Sequence, residues 1–92
     1  MMKNKYFIST AIPYVNSDPH VGFALELIQA DVLARYQRLL EKDVFFVTGT
    51  DENALKNVQS AEKVGEDVSK FVAKHAKKFE ELLGVLNISN ND

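Results

Sequence analysis

Cysteine is absent from the 92 residues. A disulfide framework and a thiolate metal site are therefore excluded, and a reducing, cytoplasmic setting is the expectation. No apolar run approaches the roughly 20 residues that a bilayer-spanning helix needs, so no membrane partner is expected. The opening MMKNKYFIST has no long apolar stretch followed by small residues, so it does not read as a secretory signal. An excess of positive charge is also missing. The formal net charge is −2. Nucleic-acid binders draw much of their affinity from neutralising phosphates, and this chain has no such electrostatic reason to hold a polyanion. Internal repeats and low-complexity linkers are lacking as well. What remains is 46% hydrophobic and 26% charged, the balance of a folded domain rather than a disordered tail. The length allows one small domain over residues 1–92, with a thin core.

Residues Lys5 to Ile12 are rich in β-branched and aromatic types and predict a strand, apolar on both faces like a buried parallel strand. The stretch PYVNSDPHVG carries Pro13, Pro19 and Gly22 and predicts a loop. Ser17 or Asp18 can cap the helix that follows, with Pro19 in its first turn. Leu25, Ile28, Val32, Tyr36 and Leu39 recur at helical spacing, which predicts a core-facing stripe and a helix ending near Lys42. Asp43 to Gly49 predicts a second strand, with Phe45 and Phe46 in the sheet core. Strand, helix and strand joined by a long crossover make a βαβ unit with parallel strands. Ala54, Leu55, Val58, Ala61 and Val64 predict a short helix stopped by Gly65. Val68, Phe71, Val72, His75, Phe79, Leu82 and Leu86 predict a third. The polar tail NISNND predicts no regular structure.

A strand that runs through a loop into a helix N-terminus is a place to bind an anion, because free N–H groups and the helix dipole both favour negative charge. This loop contributes His20, a donor to phosphate oxygen, and Gly22, which lets a ligand approach the backbone. Ligands of open α/β sheets sit beyond the carboxyl ends of the strands. There the second strand delivers Asp51 and Glu52, and a carboxylate so placed can hold an ammonium group. An activated amino acid carries both a phosphate and an amine. The same residues also admit a plainer reading, with His20 opening a helix and Asp51 capping the next one. His75 reads as a core or boundary histidine, and KHAKK as a solvated face.

The strings Ala11-Ile-Pro-Tyr-Val-Asn16, Pro19-His-Val-Gly22, Ala24-Leu-Glu26, Gln29-Ala-Asp31 and Gly49-Thr-Asp-Glu52 together resemble the opening of a methionyl-tRNA synthetase. The resemblance runs from about Lys5 to Asn90. It implies an α/β fold, the first-half Rossmann-like βαβ unit of a class I catalytic domain, with two parallel strands and three helices. It implies that Asn16, His20 and Gly22 belong to the ATP site, with His20 catalytic. It further implies that Ile12, Tyr14 and Asp51 border methionine, with Asp51 meeting the amino group. ATP with magnesium would be the cofactor, and the partners would be methionine, ATP and tRNA.

Departures from the family pattern matter. The second histidine of the His-Ile-Gly-His signature is Phe23 here, and a phenyl ring cannot donate to phosphate. Losing one such donor typically costs on the order of 10²–10³ in rate. Asn53-Ala54 stands where His-Gly is usual. A Lys-Met-Ser-Lys-Ser loop, a zinc-bearing insertion and an anticodon-binding domain are not in the sequence. Two readings follow. One is a piece of a methionine–tRNA ligase, inactive and without tRNA binding until its other half completes it. The other is a degenerate or engineered stand-alone domain with a structural or binding role. If completing fragments restored turnover, Phe23→His is expected to raise it. Two exposed strand edges, and apolar surface around Phe7, Ile12, Phe45 and Val47, predict either a homo-oligomer or docking of the missing half.

Overall fold

The computed structural model describes residues 4–92. Strand β1 (Lys5–Ser9) and strand β2 (Asp43–Val47) pair in parallel with Lys5 opposite Asp43 and Ser9 opposite Val47. Helix α1 (Val21–Leu39) crosses between them, and helices α2 (Leu55–Val64) and α3 (Val68–Val85) follow. This is the expected parallel βαβ unit with three helices. The strands are shorter than their apolar runs because the chain leaves the ladder where the loop residues begin. β1 alternates between the core and solvent rather than being buried on both faces. Tyr6, Ile8, Val44 and Phe46 pack toward α1, while Phe7 and Phe45 stack on the open face with centroids 6.0 Å apart. Phe46 is therefore core and Phe45 is not.

All three helices end in the same way. After α1, the N–H groups of Glu41 and Lys42 reach the carbonyls of Arg38 and Gln37. After α2, Gly65 and Glu66 reach Glu62 and Ala61, and after α3, Asn87 and Ile88 reach Gly84 and Leu83. Each is a Schellman closure with one left-handed residue, namely Glu41 (φ 63), Gly65 (φ 74) and Asn87 (φ 53). Only Gly65 was legible as a stop, because glutamate and asparagine adopt that conformation against or only mildly with their preference.

The stripe read as the core face of α1 is a correction. Leu25 (55%), Val32 (60%), Tyr36 (55%) and Leu39 (81%) are exposed. The buried residues are Phe23, Leu27, Ala30, Asp31 and Ala34. Ala30 and Ala34 are small, so the helix backbone sits close on Val44 and Phe46. The helix thus carries a second apolar stripe, including Ile28, away from the buried one, the pattern of a helix covered on more than one side. Only one side is covered by the described residues.

The tail has no regular structure, as expected, yet it is held in place. Asn87 turns it so that Ile88 packs against both core clusters. Ser89 donates both its backbone N–H and its hydroxyl to Asp31 Oδ1, and Arg38 donates to the Ser89 carbonyl and hydroxyl. Asp92 then accepts from Thr48 N–H at 3.0 Å and donates to Phe46 carbonyl at 3.4 Å, the two bonds of a parallel ladder around Val47. The free edge of β2 is thus covered at its carboxyl end, from Phe46 to Thr48, and β1 keeps an open one. Composition hid this, because NISNND is held by hydrogen bonds and one isoleucine rather than by a periodic apolar face.

Burial alone would push the Asp31 carboxyl upward. The Ser89 donors and Arg35, 2.8 Å away, outweigh burial and hold it below the ordinary aspartate range. A depressed carboxylate stabilises the fold above its unfolded value, about 3.9, and that contribution fades as pH falls through the lower folded value. Asp31→Ala should therefore cost about 1.5–3 kcal/mol at neutral pH, the range for a hydrogen-bonded charged group. The difference from wild type should shrink in acid. Urea melts at pH 7 and pH 3 check this, and an equal difference at both would contradict the assignment.

The molecule is long, with extents of 56 × 22 × 16 Å and a radius of gyration of 15.6 Å. A compact chain of this length has about 12 Å. Two clusters lie side by side, α1 on the sheet and α2–α3 against the start of α1. The apolar stripe of α3 is spent on Phe23, Leu27 and Val15 and does not cover the sheet's open face.

Candidate nucleotide and amino-acid site

The β1–α1 loop ends at His20, which is the N-cap of α1. Ser17 and Asp18 do not cap the helix, and Pro19 precedes the cap rather than entering the first turn. The His20 ring caps by accepting the Gly22 N–H at its Nδ1, 3.0 Å away. Nε2 is then the proton-bearing nitrogen of the neutral ring. A Cβ on Gly22 would lie 2.8 Å from the His20 ring, so the Nδ1–Cε1 edge of the ring fits only against glycine. The Phe23 and Ala24 N–H groups bond the His20 carbonyl. The helix start is thus capped by its own histidine.

Asp51 sits beyond β2 in a parallel bridge with Tyr14. Its N–H donates to the Pro13 carbonyl at 2.8 Å, and its carbonyl accepts from Asn57 Nδ2 at 2.8 Å. Its Oδ1 accepts the Asn53 N–H, and among the described residues Oδ2 takes no hydrogen bond. Asp51 does not cap α2, whose N-cap is Ala54. The bridge brings Tyr14 and Asp51 together at the carboxyl ends of both strands. Ile12 and Tyr14 are exposed beside it, and Asn16 lies at a polar cleft with Lys56 and Lys63.

Three supports were not read from the sequence. Glu26 Oε1 accepts the Ala11 N–H at 2.7 Å and so fixes the start of the loop from α1. The Thr10 and Thr48 hydroxyls, 2.6 Å apart, tie the strand ends. Asn57 is fully buried beneath Asp51. A polar residue one turn before Ala61 on the inner side of α2 was the only signal for it.

Phe23 is buried and meets the Phe79 ring edge-on at 5.4 Å. It borders an apolar cleft of about 200 Å³ with Thr48, Gly49, Thr50, Phe79 and Leu83. His20, Gly22, Ile12, Tyr14 and Asp51 do not line that cleft. His75 is buried in α3 as expected. Among the described residues no group of three or more His, Cys, Asp or Glu could hold a metal ion, and no helix is long and apolar enough to cross a membrane.

A parallel βαβ unit with a histidine-capped helix start, and a carboxylate presented from the next strand end, is the opening unit of a Rossmann-like nucleotide-binding domain. A family model described as tRNA synthetases class I (M) matches residues 6–92, and the chain belongs to that family, the methionyl class I tRNA synthetases. The methionine–tRNA ligase of Brucella suis biovar 1 is 47% identical over the whole chain, which spans 18% of that relative. The Thermotoga maritima methionine–tRNA ligase is 47% identical over 87 residues, 95% of this chain and 14% of its own length. The solved Mycobacterium tuberculosis methionyl-tRNA synthetase in complex with methionyl-adenylate superposes with a TM-score of 0.94 at 40% identity, over 97% of this chain and 18% of that one. The chain thus spans less than a fifth of these relatives.

Proposed function

We propose that this chain forms the first half of the aminoacyl-adenylate site of a methionine–tRNA ligase. The reading is carried by the Tyr14–Asp51 bridge, which holds a carboxylate with one uncommitted oxygen beside the loop that leads to His20. Asp51 Oδ2 would accept the methionine ammonium in a charge-assisted bond, with Ile12 and Tyr14 against the side chain. The α1 start would take ATP phosphate, with Asn16 at the same loop. His20 and a phosphate compete for one donor, the Gly22 N–H. When the ring swings away, that N–H becomes available and Nε2–H can reach the phosphate. Magnesium would enter on the nucleotide. In the whole enzyme the methionine carboxylate attacks the α-phosphorus, pyrophosphate leaves, and the methionyl group passes to tRNA. The chain alone lacks the groups that complete this, and we expect no tRNA aminoacylation from it.

Millimolar ATP should shift the NMR signals of the His20 ring and the Gly22 amide, and His20→Ala should abolish the Gly22 response. Unmoved signals in the wild-type chain would overturn the nucleotide assignment.

A further inference from the structure

The loop that carries His20 is gripped from a helix that contributes nothing to the proposed ligand contacts. Asp18 lies two residues before His20. Its Oδ1 accepts from Lys78 Nζ of α3 at 2.7 Å, and His75 Nδ1 of the same helix lies 3.3 Å from the same oxygen. The His75 ring N–H is not aligned with that oxygen well enough for a good hydrogen bond, so Lys78 is the stronger tie. The Asp18 carboxyl is held below the ordinary aspartate range, chiefly by the Lys78 bond. His75 is itself fixed, being buried with its ring 4.5 Å from that of Phe71. The α3 side of the contact is therefore fixed at His75, with Lys78 beside it on the same helix.

The link from Asp18 to His20 is stiff. Pro19 fixes its own φ near −65°, and the residue before a proline is confined to extended backbone. Few soft torsions separate the gripped carboxylate from the capping ring. We infer that Lys78 is a positioning residue for the nucleotide-binding loop, acting through Asp18 to hold the His20 ring over Gly22. The inference rests on His20 belonging to the nucleotide site only for its consequence on ATP, since the grip itself is present without ligand. An exposed ion pair does little for global stability, so its effect is local.

The chain has two histidines, which makes the test direct. Lys78→Met should speed solvent exchange of the Gly22 amide about 3- to 10-fold and shift the His20 ring signals, with the unfolding midpoint little changed. Lys78→Arg should restore both, because a guanidinium keeps the charge. Lys77→Met, at an exposed neighbouring position, should leave both at wild-type values. Wild-type exchange in Lys78→Met, or an equal response to Lys77→Met, would overturn the inference. ATP supplies a separate arm. If it perturbs His20 in the wild-type chain, Lys78→Met should strengthen its binding by a similar factor, because the cap that competes for the Gly22 N–H is loosened. If it perturbs nothing in the wild type, the nucleotide reading falls, while the ligand-free comparison still decides the grip.

Discussion

Replacing Phe23 by histidine should lower the stability of this chain by about 1–3 kcal/mol, the cost of placing a poorly satisfied polar group in a buried site. Taken from the sequence alone, the same change restores a catalytic donor and should raise activity. That expectation concerns a chain completed by its other half, and in the isolated chain the change falls in the core. Phe23 is 7% exposed and packs with Leu27, Phe71, Val72 and Phe79 in one cluster. An imidazole there leaves Phe79 without its edge-on partner and puts a polar ring among Leu27, Phe71, Val72 and Phe79, which adds a desolvation cost. Small domains have about 5–15 kcal/mol in total, so the loss is a large fraction. Chemical denaturation followed by far-UV circular dichroism measures it. A loss below about 1 kcal/mol would mean the side chain turns out of the core, and the donor reading of position 23 would return.

The second large effect concerns association. At tens of micromolar the chain should run heavier than its 10.4 kDa monomer mass in sedimentation or light scattering. Sheet edges offer one route, but the tail covers the carboxyl end of β2 and leaves β1 open. The larger exposed surface is the α1 stripe from Val21 to Leu39, while Phe7 and Phe45 form a separate patch on the open face of the sheet. A contiguous apolar surface of this kind marks an interaction site. In the proposed whole enzyme the rest of the chain would cover it, and in isolation a second copy would. Fully burying a leucine or valine is worth about 1.5–3 kcal/mol. Leu25→Glu combined with Val32→Glu alters four side chains in a two-fold dimer. The double variant should weaken association at least about 100-fold and leave the fold intact, since neither residue is core. A wild-type mass of 10.4 kDa that does not change with concentration would remove the prediction. An unchanged dimer in the double variant would move the interface to the β1 edge.

Periodicity and turn chemistry alone determined the element order, the parallel pairing of residues 5–9 with 43–47, the stop at Gly65 and the buried face of α3. These follow from local rules, because strand and helix periods and a glycine stop act within a few residues. The motifs around Ala11–Gly22 and Gly49–Glu52 marked the site region for the same reason. Tertiary structure decided the rest. Bulk made Leu25 and Val32 look like the core face of α1, yet close approach to the sheet selected Ala30 and Ala34. Asp31 gave order to a polar tail that no local pattern supports, because its three donors come from Ser89 and Arg35. Asp18 became the partner of Lys78, 60 residues away. Each of these depends on which residues meet across the fold, and that distance is not written in the spacing of the sequence.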